Sequence, residues 1–237
     1  MYMKASIQAS LLATLVVATS LPGQAETPTS DSQVIDRIYE HVSAFEAKNR
    51  GTFVRRKMTV REMDPDDGTV EKTFVSQQEV WNRLGQRPEI KIVSCLVDGK
   101  SAEPKECKRK ERDRKPPYRI FGPEGRSHYR YELVQTEGPA EPASYKIKVI
   151  PLERTSRHFE GVLEFDAATS RLLASRGSIA DYPLGLKSLE LELHFADLDG
   201  HPVPAHSRMD MILYLPLVLN KRVLSEADAY DQRFLTP

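Results

Sequence analysis

Through "KSLELELHF", Leu189, Leu191, Leu193 and Phe195 alternate with Glu190, Glu192 and His194. A period of two puts successive side chains on opposite faces of a strand, so this segment has one apolar face and one wet face. "SRMDMILYLPL" keeps the period with Met209, Met211, Leu213 and Leu215. The intervening "ADLDGHPVP" carries Asp-Gly turn chemistry, which predicts an antiparallel hairpin. Weaker alternation marks Tyr129, Tyr131 and Leu133, then Tyr145, Ile147 and Val149, then Phe159, Leu163 and Phe165. In "TFVRRKMTV", Val54, Met58 and Val60 share a face with Arg56 as its odd member. Near the start the period changes. Ile35, Ile38, Val42 and Phe45 fall on one helical stripe and predict a helix over Gln33–Arg50. Ser30 and Gln33 are placed for a capping box, and Gly51 for closing the far end.

One helix followed by about ten strands, with no helices between them, predicts an α+β fold that is mainly antiparallel β. The expected architecture is a meander curved into a half-open barrel, with the N-terminal helix on its concave side. No repeat or linker divides residues 26–237, which are expected to form a single domain. The Pro- and charge-rich segment 98–125 is an excursion from the sheet.

The first residues change the setting. Lys4, the apolar run Leu11–Ala18, Pro22 and the small residues Gly23 and Ala25 predict a signal peptide over residues 1–25, cleaved after Ala25. The run is shorter than the ~20 apolar residues of a spanning helix. An exported, periplasmic chain is therefore expected, and there its two cysteines, Cys95 and Cys107, predict a local disulfide.

Charge excludes one class. With 34 basic and 34 acidic residues no overall field favours nucleic acid, and no such partner is expected. The basic run holding Lys108, Arg109, Lys110 and Arg112 reads either as a solvated loop or as a contact for anionic headgroups or an envelope protein. No aromatic residue interleaves it, so the stacking platform of single-strand binders is missing.

Catalytic patterns are also missing: no nucleophile elbow, phosphate-binding loop or His-Glu-x-x-His pair occurs. His194, Asp197, Asp199, His201 and His206 crowd into thirteen residues. A calcium loop starting at Asp197 fails at Pro202 and Arg208, and Asp-x-Asp-Gly is good turn chemistry. No catalytic residue, metal or cofactor is expected.

The stretch "GVLEFDAATSRLLASRGSI…LKSLELELHFADLDGHPVPAHSRMDMIL" resembles the periplasmic lipoprotein-sorting carriers of the LolA/LolB-like superfamily, which also includes a periplasmic stress sensor. The likeness lies in the signal peptide, the opening helix, the succession of short strands, and a strand ending in Phe before an Asp-Gly turn and "PVP". It implies an unclosed antiparallel barrel with helices against its concave side and an apolar cavity that takes acyl chains. Two features depart from the carrier pattern. The Cys95–Cys107 excursion is an addition, and the carriers' cavity arginine has no better counterpart than Arg56. The expected function is non-enzymatic binding of a lipid or lipoprotein acyl chain, in lipoprotein sorting or lipid transport, lined by the eight apolar residues of the two late strands. A periplasmic sensor or protein-interaction module on the same fold is the alternative, and a metal-dependent envelope hydrolase using His194–His206 is a third reading.

Overall fold

The computed structural model describes residues 30–47, 51–83, 86–108, 117–122, 124–134 and 143–235. The expected signal peptide lies outside them. Helix α1 (Asp31–Ala47) comes first, then β1 (Thr52–Met63), β2 (Val70–Asn82), β3 (Glu89–Val97) and the two-residue β4 (Lys100–Ser101). Two short helices follow, α2 (Pro104–Cys107) and α3 (Gly125–His128). The chain then runs through β5 (Tyr129–Val134), β6 (Ser144–Pro151), β7 (Phe159–Asp166), β8 (Leu172–Ile179), β9 (Leu186–Leu198), β10 (His201–Leu215) and β11 (Leu219–Phe234).

All eleven strands form one sheet in the order β4-β3-β2-β1-β11-β10-β9-β8-β7-β6-β5. The described pairings are all antiparallel. Every consecutive pair within β1–β4 and within β5–β11 is therefore a meander step, and β1 and β11 meet in the interior of the sheet. The segment between β4 and β5 connects the two outer edges. The expected half-open antiparallel sheet with an N-terminal helix is the observed fold.

Registers carry the residue pattern across the sheet. Leu133, Ile147, Leu163, Ser175, Leu193, Ser207, Ala227, Met58, Ser76 and Cys95 are successive cross-strand partners from β5 to β3. On the opposite face Arg176, Glu192, Arg208 and Glu226 are partners in turn, with alternating charge, and Arg61 of β1 reaches Glu226 diagonally. Arg61 bonds Glu226 at 2.6 Å, and Arg222 holds Asp210 through two hydrogen bonds. Exposed pairs of this kind contribute at most about 1 kcal/mol each, but their alternation makes this the wet face.

The core sits at one end of the apolar face. Val34 and Ile38 of α1 pack with Phe121, Tyr129, Ile147, Val149, Leu163 and Phe165, covering β5–β7. Ile35 and Val42 flank this cluster as the helical stripe predicts, while Phe45 lies outside the described side chains. Ser30 Oγ accepts the Gln33 amide at 3.4 Å, as a capping residue does. Gly51 does not close the helix in a left-handed turn. It opens β1, where an added Cβ would lie 2.7 Å from the Asn82 carbonyl.

The predicted β9–β10 hairpin forms, and its turn uses the expected residues. Asp199 and Gly200 both have positive φ, 51° and 83°, the conformation of a type I′ turn, and Asp197 Oδ1 accepts the Gly200 amide at 2.7 Å. The excursion is less detached than expected. Asp98 and Gly99 make a second such turn, returning two residues to the sheet as β4.

Candidate functional site

Among the described residues α1 covers only one end of the sheet, and the apolar face continues past it across β9, β10, β11 and β1–β3, where only the α2 segment overlies it. All eight residues expected to line a cavity, Leu189, Leu191, Leu193, Phe195, Met209, Met211, Leu213 and Leu215, are partly exposed, and none is fully buried. Leu193, Leu191 and Leu189 pair with Ser207, Met209 and Met211, and Leu213 pairs with Leu186, so the set forms a continuous two-strand track.

Two larger cavities open on this face, with a smaller one of about 190 Å³ between Arg56 and Ala227. The first, of about 360 Å³, lies between α1, the 118–121 segment and the sheet. His41, Val42, Tyr118 and Ile120 form one wall, and Leu163, Leu172, Leu193 and Phe195 the other. Of the eight expected residues it takes Leu193 and Phe195. Leu189 borders a more polar opening where β8 and β9 part beyond Gly177. Leu191, Met209, Met211, Leu213 and Leu215 line neither apolar cavity and extend the track toward one rim of the sheet.

The second cavity, about 340 Å³, has a floor that sequence reasoning missed. It lies over β1–β3, lined by Met58, Val60, Phe74, Ile90 and Ile92, and is roofed by Glu106, Cys107 and Lys108 of the excursion. The roof is fastened by the Cys95–Cys107 disulfide, whose Cα atoms are 5.9 Å apart. Cys95 is buried at the β3 edge. The bridge expected from cysteine count is thus a clasp holding α2 over the sheet. Of the basic residues singled out, Lys108 is exposed at the edge of this roof. Arg109, Lys110 and Arg112 lie outside the described residues.

Arg56 projects into this second cavity. Its Nε donates to Gln78 Oε1 at 3.0 Å, and Gln78 Nε2 in turn donates to Ser76 Oγ at 2.9 Å. Gln78 and Ser76 are each 5% exposed, so this is a polar island under an apolar surface. Burial holds the Arg56 guanidinium below the usual arginine range. Among the described residues no carboxylate pairs with it. Glu62, which lines the same cavity, is bonded by Lys221 at 3.3 Å. A half-buried cation with one neutral partner is a ready site for a carboxylate, phosphate or ester oxygen.

The histidine cluster does not converge. His194 meets Glu192 at 3.0 Å and His206 meets Asp228 at 2.7 Å, side by side on the charged face. His201 packs its ring against Phe234. Among the described residues no three His, Cys, Asp or Glu side chains are placed to hold a metal ion.

The fold and face together define an open antiparallel half-barrel with an apolar, partly roofed concave side. No protein-family profile and no curated protein sequence matches the chain. Among solved structures it is similar to the LolA superfamily protein NE2245 from Nitrosomonas europaea, at 13% identity, covering 85% of this chain and 94% of that one with a TM-score of 0.43. It is similar to a putative outer membrane lipoprotein-sorting protein domain from Vibrio parahaemolyticus, at 13% identity, 87% and 92% coverage and a TM-score of 0.37. A third likeness, to the Pseudomonas aeruginosa MucA/MucB complex, has 13% identity, 87% and 99% coverage and a TM-score of 0.24.

Proposed function

We propose that the protein binds the acyl chain of a lipid or lipoprotein on its concave face, as an exported, periplasmic, non-enzymatic envelope protein. One observation carries this reading: the sheet's apolar track is left half-exposed beside two cavities of about 340 and 360 Å³, while its own helix is spent on β5–β7. An apolar face of this extent needs a cover, and concave apolar sites with a few polar groups are the usual form of ligand sites. Arg56 supplies the polar end, and the chain would lie along the β9–β10 track.

Leu193→Trp tests it. Leu193 lines the first cavity without being fully buried. In a filled core the indole would cost about 1–3 kcal/mol by overpacking. In an open cavity it fits and takes the ligand's volume. The expected result is a melting temperature close to wild type with weaker binding of a fluorescent fatty acid. A strongly destabilised variant, beside a wild type that never binds the probe, would end the carrier reading. Native mass spectrometry after gentle extraction should show a lipid-sized mass increment on the wild type.

The outer edge of β5, unpaired among the described residues, favours a second reading, a protein-recognition module that accepts a partner's strand. A peptide protecting the Tyr129–Val134 amides from hydrogen exchange, with no lipid bound, would select it.

A further inference from the structure

Three successive connections on one rim of the sheet each carry an exposed leucine. Leu152 follows β6 at 59% exposure, Leu184 lies between β8 and β9 at 94%, and Leu217 between β10 and β11 at 108%, with Val218 beside it at 80%. The registers place these turns at the same end of the strands, since Val149 pairs with Gly161, Phe159 with Ile179 and Leu186 with Leu213. The two described turns of the other rim beside them are polar. Asp166 Oδ1 accepts the Thr169 amide and Asp197 Oδ1 the Gly200 amide, each at 2.7 Å. Polar residues are what exposed turns normally carry.

Leu217 adds a second observation. It holds a φ of 61°, a left-handed conformation in which a bulky residue is an outlier and where glycine or asparagine would sit at lower cost. Its side chain is fully in solvent, so no packing in the protein offsets the strain. Strain held in an exposed apolar side chain points outward, to something the side chain meets.

We propose that this rim is a membrane-docking edge, whose turn leucines and Val218 seat in the interface of a phospholipid bilayer. The shape selects the partner. The leucines stand on convex hairpin tips, which a deformable bilayer accepts without a matching pocket. Tyr182 and Tyr214, exposed at 41% and 46%, stand just behind the tips, where amphipathic rings anchor at the headgroup level. Lys187 lies over the Tyr214 ring, with its Nζ 5.8 Å from the centroid, and can extend toward phosphates. The Tyr214 amide donates to the Gly185 carbonyl at 3.1 Å, tying two of the turns together so that their tips present as a unit. The next turn of the rim holds Asp64, Asp66 and Asp67 and ends the apolar tract. The β9–β10 track leads up to these tips, so the docked rim would bring the concave face to the membrane, although docking itself does not require an occupied cavity.

Co-flotation of the purified protein with vesicles tests this, using phosphatidylcholine alone and phosphatidylethanolamine with phosphatidylglycerol. The wild type is expected to bind both and to keep most of its binding at high salt, because the contact is apolar. Leu184→Ser/Leu217→Ser should lower the partition coefficient at least about tenfold with an unchanged melting temperature. Tryptophan fluorescence of Leu217→Trp should shift to the blue on vesicles and be quenched by shallow brominated lipids. Leu193→Trp, which blocks the cavity, should bind vesicles like wild type, so this result is independent of acyl-chain binding. Three results would overturn the inference: no vesicle binding by the wild type, equal binding by the double variant, or binding that salt abolishes in both proteins. A concentration-dependent dimer that the double variant loses would instead assign the rim to a second copy of the chain.

Discussion

Arg56 stands out from its strand in both the sequence and the structure. A cation on an apolar face loses hydration, and a single amide partner in Gln78 replaces little of it. An apolar replacement removes that desolvation cost but leaves the buried Gln78 Oε1 without its donor, so the two effects oppose each other. Arg56→Met is therefore expected to leave stability within about 1 kcal/mol of wild type. The same change should weaken binding of a fatty acid anion several-fold and leave binding of the matching alcohol nearly untouched, as a displacement titration would show. His158 is a second residue whose setting predicts behaviour. It is 2% exposed, with Nδ1 at 2.8 Å from Thr155 Oγ1 and Nε2 at 3.4 Å from His128 Nδ1. Burial, and secondarily the neighbouring His128, hold its pKa below the ordinary histidine value, with Arg157 adding to the shift and Glu153 opposing it. Below that ordinary value, about 6.5, the unfolded chain takes up a proton that the native ring resists. Stability should thus be full at higher pH and fall as pH drops below about 6.5 toward the native pKa. Urea midpoints for wild type and His158→Gln should converge on acidification if His158 is the group responsible.

Among the elements, the β7–β8 pair and the α2 clasp carry the clearest consequences. Gly161 and Gly177 are direct cross-strand partners, and the Phe159 ring lies over both. A Cβ on Gly161 would stand 2.2 Å from the Arg176 carbonyl, a backbone atom that cannot swing aside. Gly161→Ala should therefore cost about 3 kcal/mol, read as a lower denaturant midpoint, although alanine is a mild change elsewhere in a strand. The clasp acts on both stability and access. Cys95 and Cys107 are 12 residues apart, a loop whose closure is worth about 3 kcal/mol in the chain-entropy view. Cys95→Ala/Cys107→Ala should lose that stability and free α2 from β3. Hydrogen exchange should then quicken at Glu106, Cys107 and Lys108, while the α1 amides, which belong to the other end of the sheet, keep their protection.

At the scale of the molecule, the first and last strands meet inside the sheet, with Met58 facing Ala227. Neither meander is complete without this contact between distant parts of the chain. Long-range pairing of this kind makes folding slow, in the range of milliseconds to seconds for small β proteins. Ending the chain after Leu217 removes β11 and separates the sheet into two pieces, each with a new open edge. Such a truncation should show no cooperative thermal transition by circular dichroism, whereas loss of the two-residue β4 should barely matter.

The strands that the sequence announces are those whose inward residues are large. β9 and β10 alternate Leu, Phe and Met with charge, and the period alone identifies their faces and the type I′ turn between them. β11 is nearly silent, because its inward residues include Ser225 and Ala227, 5% and 6% exposed, too small or polar to mark an apolar period. β2 hides for a related reason: Ser76 and Gln78 face inward and are satisfied by Arg56 and by each other. The second cavity was therefore illegible, since its floor joins residues from β1–β3 and its roof comes from the charged excursion. Local alternation and cysteine count determine faces, hairpins and the disulfide, because those depend on neighbours in the chain. Which part of the apolar face α1 covers, and that the chain between β4 and β5 links the two outer edges of the sheet, follow from strand order. Strand order is decided by packing between residues far apart in sequence.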